Sequence, residues 1–346
     1  MTGPSGLSLA REFFAEVVAP ELARRSPQLR YTAGRFGARS DVLGYDDAIS
    51  RDHGWGADCM VLVEDPDVAA QLGLALRACG PTFRGYPAAV EVAAASRYFD
   101  YHLGAAEPVR MQPLDWLAID EQKLLEVTSG VLLHDDLDIA STRRSLAYYS
   151  DDLRRHLLAV EWQRIAEEQA VPGRAGARGD EIGSAIVATR LAESAVRIAF
   201  YIERCYPPYS KWLGTAFEKL ACAPRLGDPI RGVVTARDWD ARDRAWTFLL
   251  HGLLALHVEH GLLLPDRYAP GPVYAGRPGT GLPALQGATI GVLVDELRAP
   301  ITDPAVLALP RRLGSVNQML SSRDLEDDCA VWRARYRALA AMNRAT

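Results

Sequence analysis

Stretches that read as β-strands stop near residue 145, and this boundary limits the fold more than any other feature of the chain. Cys59–Val63 is a short apolar run of buried-strand type. Phe83–Ala95 reads as extended, with Tyr86, Val90 and Val92 apolar and Glu91 between the valines. Around them lie helical patterns at Leu7–Arg25 (Leu9, Phe13, Val17, Leu22, with Pro20 as a kink or a helix break), Asp67–Cys79 with Asp67 as cap, Ser96–Gly104 and Leu114–Thr128. Beyond residue 145 the pattern is helical: Asp151–Gln169, Asp180–Cys205, Trp246–His260, Ala284–Arg298 and Asp324–Arg344. Val171–Gly179 reads as a flexible basic connector and Pro265–Gly281 as a loop. At 346 residues the chain is long enough for one large domain or two ordinary ones. The expectation is an α+β protein, with a mixed β-sheet and its helices in residues 1–145 and an α-helical bundle in 146–346.

Charge and cysteine usage narrow the function. The net charge is −5 and the pI near 5.9, so no global basic field is present for duplex nucleic acid. A local basic pocket remains open. Lysine occurs only at 123, 211 and 219, whereas arginine is abundant. The five cysteines are far apart, show no zinc spacing, and fit a reducing cytoplasm. No secretory signal pattern opens the sequence, and no apolar run reaches the ~18 residues of a membrane span.

The residues Gly34–Val63 combine a small-residue turn, a loop rich in carboxylates and a buried strand. A turn with Gly37 and Ser40 can set N–H groups and a hydroxyl against phosphate oxygens. Arg39 inside it can add a bidentate phosphate contact. Acids downstream can hold Mg²⁺, which takes one or two protein carboxylates and completes its shell with water and phosphate. A Gly-x-x-Ser with scattered Asp also describes a solvent-facing loop, and spacing alone favours that reading. Glu91 is balanced between an outward-facing strand residue and a site acid.

The stretch resembles the signature of the DNA polymerase beta-type nucleotidyltransferase superfamily. There a Gly-Ser turn ends a helix and an Asp-x-Asp pair follows on the next strand. More closely, Leu43-Gly-Tyr-Asp-Asp47 and Ser50-Arg-Asp-His53 resemble domain-of-unknown-function family 4037, whose members look like nucleotidyltransferases. The family pattern runs Arg-Asp-His-Asp-Trp, and this chain carries Gly54 at the second acid. The resemblance implies Asp52 as first Mg²⁺ ligand and catalytic acid, and Glu91 as the third acid on a neighbouring strand. Asp58 replaces the missing acid if Gly54–Gly56 bulges; in an extended strand six residues would carry it ~20 Å away.

Tyr206-Pro-Pro-Tyr-Ser-Lys-Trp-Leu-Gly-Thr-Ala-Phe217 is the most unusual composition of the second half, and Pro-Tyr-Ser-Lys-Trp-Leu resembles the same family as it stands. In related enzymes a helical domain closes over the cleft and offers a cation to the triphosphate. That implies Lys211 as the cation, with Tyr209 and Ser210 beside it and Tyr209 or Trp212 against the base. The packed start of a helix is the plainer alternative. Gly130–Asp136 resembles the last strand of the nucleotidyltransferase sheet, and His134 at its end reads as a turn residue. His257 and His260 share a helix face, but with His251 they read as histidines at the edge of an apolar helix. Glu161, Glu167, Glu168 and Asp180 are candidate bases toward an acceptor, and most read as solvated helix faces. The resemblance thus implies Mg²⁺-dependent transfer of AMP from ATP to a hydroxyl of a small molecule. The alternatives are a degenerate fold that binds a nucleotide or partner without turnover, and a biosynthetic enzyme that reuses the scaffold.

Overall fold

Helix α1 (Gly6–Phe13) begins where Ser5 turns extended and its hydroxyl accepts from the N–H of Ser8 at 3.1 Å. The computed structural model describes residues 3–47, 49–52, 55–264, 287–320 and 328–343. Leu9 and Phe13 are buried on one face of α1, as their spacing requires. Pro20 does not break the pattern. A π-turn over Phe14–Val18 carries the chain into α2 (Ala19–Arg25), whose first turn holds the proline.

A five-stranded sheet of order β3-β4-β2-β1-β5 is built from β1 (Thr32–Arg35), β2 (Ala57–Val63), β3 (Thr82–Phe83), β4 (Tyr86–Ala94) and β5 (Val131–Asp135). β2 runs antiparallel to β1 and parallel to β4. The parallel crossover is α3 (Pro66–Leu76) followed by the β3–β4 hairpin. Asp65 caps α3, not Asp67: its Oδ1 accepts from Asp67 N at 2.7 Å and Val68 N at 3.3 Å, and Pro66 takes the first helical position. β1 is not evident in the sequence, because its four residues include glycine and lack an apolar run; Gly34 and Arg35 therefore belong to a strand and not to the turn.

Side-chain alternation sorts β2. Ala57, Cys59, Val61 and Val63 join Leu9, Phe13, Leu22, Leu72 and Leu76 in one core. Ala88 lies in this core, and Val90 and Val92 pack against it. The odd-numbered β2 residues and even-numbered β4 residues thus face α1–α3. Asp58 and Met60 on β2, and Ala89 and Glu91 on β4, face the other way. The register pairs Met60 with Glu91 and Asp58 with Ala89, so Asp58 and Glu91 share a face on adjacent strands.

The remaining elements of this half are α4 (Ala95–Leu103), α5 (Pro113–Leu117), α6 (Glu121–Thr128) and α7 (Ile139–Ser145). The expected helix Leu114–Thr128 is split in two, because Asp120 starts a new cap by accepting from Gln122 N.

The chain divides into two compact units: Met1–Ala147 with Ser322–Tyr336, and Tyr148–Ser321 with Arg337–Thr346. The second unit contains α8 (Asp151–Glu168), α9 (Val171–Gly176), α10 (Glu181–Ile202), α11 (Ser210–Phe217), α12 (Ala223–Thr235), α13 (Trp239–Glu259), α14 (Gly287–Arg298), α15 (Pro304–Leu307) and α16 (Val316–Met319). Val171–Gly176, expected as a flexible connector, is a helix packed on α10 and α13, with Gly176 close against Trp239. Pro265–Gly281 lies outside the described residues. The last helix, α17 (Cys329–Asn343), gives its first part to the first unit: the Arg333 guanidinium donates to the Leu103 carbonyl at 2.9 Å and pairs with Asp115 at 3.0 Å. The architecture is α+β, a mixed sheet with helices and a helical unit, as the strand boundary led one to expect.

Candidate functional site

Arg35 ends β1 pointing into a set of acids. Its Nε and one terminal nitrogen donate to the two oxygens of Asp41 at 2.7 and 2.9 Å, a bidentate fork. Its other terminal nitrogen donates to Asp58 Oδ2 at 3.0 Å. Only 4% of the Arg35 side chain and 1% of the Asp41 side chain are exposed. Burial opposes charge on Arg35, but the Asp41 hydrogen bonds and the charges of Asp41 and Asp58 outweigh it, so its pKa lies above the usual arginine value. Burial pushes the Asp58 carboxyl above the ordinary carboxylate range, against the pull of Arg35 and Arg39.

Arg39 extends the network. One guanidinium nitrogen donates to Glu91 Oε1 at 2.9 Å, and the other lies 3.7 Å from Asp58 Oδ2. The cluster therefore runs Asp41, Arg35, Asp58, Arg39, Glu91 across β1, the following turn, β2 and β4. Arg35 and Asp41 were not singled out in the sequence. A lone arginine two residues before a Gly turn carries no signal until the strand pairing sets it beside Asp58.

The turn itself is held from below. Gly37 has φ +106°, a backbone conformation suited to glycine, and its N–H donates to the carbonyl of Glu126 at 2.9 Å. Arg39 N donates to Gly37 O at 3.0 Å, and Tyr45 N to Ser40 O at 2.9 Å. The contribution of Gly37 is thus one of shape, its N–H being engaged on α6, and Ser40 is half-buried beside Arg39. The loop after the turn is braced by the start of α1. Asp46 Oδ2 accepts from Gly6 N at 2.8 Å and from the Trp55 indole at 3.3 Å. A Cβ on Gly6 would lie 2.3 Å from Asp41 Oδ2, so the helix N-terminus approaches that acid as only glycine permits.

Asp52 closes a 3₁₀ turn (Ser50–Asp52) and is not on the strand, which starts at Ala57. The side chain of Asp52, and His53 and Gly54 entirely, lie outside the described residues. Of the expected site residues the fold brings together Arg39, Asp58 and Glu91, with Gly37 and Ser40 in the adjoining turn. Both Asp58 and Glu91 offer hard oxygen donors of the kind Mg²⁺ takes. Among the described residues no three His, Cys, Asp or Glu side chains converge to hold a metal.

Tyr209, Ser210 and Lys211 belong to the second unit. Tyr206, Pro207 and Pro208 are buried, and Tyr206 packs on Tyr148 and Tyr149 at 5.0 and 5.1 Å between ring centroids. Glu203 braces the break after α10 by accepting from Ala221 N and Cys222 N at 2.8 and 2.7 Å. Tyr209 is half-buried at the N-cap of α11, and Ser210 and Lys211 follow it exposed. The ammonium of Lys211 stands 5.0 Å from the ring centre of Trp212. Trp212 itself is packed inside, which removes it as a surface for a base.

The other candidates resolve plainly. His257 is a core histidine: the Trp162 indole donates to its Nε2 at 3.1 Å, and its Nδ1 bonds the Leu253 carbonyl at 2.8 Å. It does not share an outward face with the exposed His260. His134 lies in β5 and not in a turn, stacked on Tyr31 and 2.7 Å from Asp136. Glu167 and Glu168 are on exposed helix surface, Glu168 pairing Arg190 at 2.6 Å, and Asp180 caps α10. Glu161 is the exception, being fully buried.

Residues 116–213 match the family model described as a domain of unknown function (DUF4037). The DUF4037 segment runs from α5 to α11 and takes in the end of the first unit, the start of the second and the Tyr206–Leu213 motif. The Arg35–Glu91 cluster lies outside it. No curated protein and no solved structure matches the chain. Among the described residues no helix is long and apolar enough to cross a membrane.

Proposed function

We propose that the first unit binds a nucleoside triphosphate with Mg²⁺ and transfers its monophosphate, AMP from ATP, to a hydroxyl of a small molecule. The observation that carries this reading is Arg39 beside Asp58 and Glu91, on one face of two adjacent parallel strands and next to the Gly37–Ser40 turn. The superfamily resemblance places a phosphate turn and acids of neighbouring strands in such an arrangement.

Asp58 and Glu91 hold the ion in this reading, and Mg²⁺ there supplies a Lewis acid and a counter-charge for the phosphates. Arg39 and the Ser40 hydroxyl bind phosphate oxygens. The acceptor oxygen forms a bond to the α-phosphorus in line, the bond to pyrophosphate breaks, and the hydroxyl proton leaves to solvent. Positioning and charge are what such a step needs from the protein. The reading is tested by Mg²⁺-dependent release of pyrophosphate from ATP. Asp58→Asn and Glu91→Gln are each expected to lower it ~100-fold or more. Release that both variants leave intact would refute the assignment.

The second reading, nucleotide binding without turnover, is favoured by Gly54 in place of the family's second acid. ATP–Mg²⁺ binding by calorimetry without pyrophosphate release, in the presence of hydroxyl acceptors, is its signature.

A further inference from the structure

The Gly37–Ser40 turn stands on the end of α6, and Arg143 of α7 holds that end. We propose that Arg143 is a positioning residue: through the C-terminus of α6 and the ring of Phe36 it fixes the place from which the turn offers Arg39 and the Ser40 hydroxyl. The inference rests on the reading above, which gives this turn to phosphate oxygens.

The last carbonyls of a helix have no partner inside it. In α6 the carbonyl of Leu125 accepts from Ser129 N at 2.8 Å, and that of Glu126 accepts from Gly37 N at 2.9 Å. The carbonyls of Thr128 and Ser129 accept from one guanidinium nitrogen of Arg143. Gly37 and Arg143 thus cap the same helix end, one with its backbone and the other with its side chain. The buried Phe36 ring joins the two. The Arg143 guanidinium carbon stands 6.0 Å from its centre, and the Tyr98 ring of α4 meets it edge-on at 5.5 Å. The chain that leaves α6 also passes against the end of β1. Gly130 has φ +79°, and a Cβ there would lie 2.1 Å from the carbonyl oxygen of Arg35. α6 is tied to α4 in turn, with the Glu126 carboxylate 3.3 Å from His102 Nδ1.

The side chain of residue 36 and the N–H of residue 37 are therefore set from α6 and α7, and Arg39 follows two residues later. Arginine suits the position. A positive charge is favourable at a helix C-terminus. Its planar group can donate to two carbonyls and still lie near a ring, which the point charge of a lysine cannot do. Both α6 and α7 lie within residues 116–213, the DUF4037 segment, whereas the turn and its acids lie outside. In this account that segment serves the site by holding its turn in place.

Hydrogen exchange of the full chain, read by mass spectrometry over residues 36–42, tests the hold without nucleotide. Arg143→Met should speed exchange there about ten-fold or more, for the loss of hydrogen bonds from a charged donor. Exchange over β2 (57–63) and β4 (86–94) should stay unchanged. Arg143→Lys, which keeps the charge, should speed exchange less and in the same place. Calorimetry with ATP and Mg²⁺ reads the consequence. Arg143→Met should weaken binding about ten-fold with the turn otherwise intact, and less than about two-fold when Arg39→Gln and Ser40→Ala are already present, since all act through one element. A change over residues 36–42 no larger than that in the two strands means general loss of stability and overturns the proposal. Additive losses of affinity in the cycle overturn it as well. If Arg143→Met does not fold, unchanged exchange in Arg143→Lys overturns it. A wild type that binds no ATP refutes the nucleotide reading alone, and the exchange of residues 36–42 still decides whether Arg143 holds the turn.

Discussion

Arg35 in the first unit is buried with Asp41 and Asp58 against it, whereas Glu161 in the second unit is buried with neither carboxyl oxygen in a hydrogen bond. The nearest cation to Glu161, Arg164, is 3.7 Å away. Burial therefore raises the Glu161 pKa against the pull of Arg164, Arg197 and the side chains of Ser194 and Gln318, and favours the neutral acid. The histidines of the same unit are handled likewise. His156 bonds the Leu313 carbonyl through Nε2 at 2.8 Å and accepts from Arg298 at Nδ1, which keeps it neutral. Burial lowers the pKa of His156 to about 4, and burial lowers that of His257 to about 4. Arg35 is thus a buried charge kept by pairing, as are Arg154 and Arg242 of the second unit with Asp151 and Glu181, whereas Glu161, His156 and His257 are kept towards their neutral forms. Neutralised groups in a closed core can only be protonated or deprotonated, at a cost in stability.

The largest expected effect is on the second unit at acid pH. Both histidines have an ordinary value of 6.5 and a folded value of about 4, so below pH 6.5 the unfolded chain binds more protons. Stability contributed by their neutral forms is present above pH 6.5 and falls as the pH drops toward 4. The loss at pH 4 is on the order of 3 kcal/mol for each. Glu161 has the opposite sign: its folded pKa is raised, so its penalty shrinks as the pH falls through that value. Urea denaturation of Glu161→Met at pH 7 and pH 4 isolates the histidines. A flat profile between these values would show that they are not buried neutral.

Next in size is Arg35→Met, which leaves Asp41 and Asp58 without their close partner. The expected loss is about 3–5 kcal/mol, read by denaturation of the first unit. A loss under about 1 kcal/mol would mean that solvent or Arg39 replaces the pairing, and the contrast with Glu161 would fail. Glu161→Met at pH 7 should act in reverse and stabilise by about 1–3 kcal/mol, because it removes a buried ionisable group whose nearest cation is 3.7 Å away. Destabilisation there would reveal a partner for Glu161 beyond those that pack around it. The smallest change in stability is for Lys211→Ala, about 0.5–1 kcal/mol from the lost contact with Trp212.

Several parts of this protein are written locally. Alternation along Tyr86–Ala94, the apolar run Cys59–Val63 and the helical periods of α1, α8, α10 and α13 can be read from neighbouring residues, because strand and helix periods are properties of the backbone itself. The end of strand-forming sequence near residue 145 announced a sheet followed by helices for the same reason. Arg39 and Glu91 were visible as unusual residues, one inside a small-residue turn and the other between valines. Asp58 was visible as a substitute acid, but Arg35 and Asp41 were not. Arg35, Asp41 and Asp58 meet because β1 pairs antiparallel with β2 and Gly6 lets α1 approach Asp41, and contacts between residues 6 and 41 or 35 and 58 leave no periodic trace. Val171–Gly176 is a helix despite two glycines and a proline, because Gly176 packs on Trp239 far along the chain. The same limit hid Glu161. α8 buries Leu153, Leu157, Trp162 and Ile165 and also His156 and Glu161, so nearly every face of its middle is covered by other helices. The apolar spacing of α8 told which side is buried first, and only the packing of α10, α14 and the segment around Gln318 decided that the polar side is buried as well. Local period is carried by the order of residues; partner identity, burial and the charge state that follows from them are set by what the chain brings from a distance.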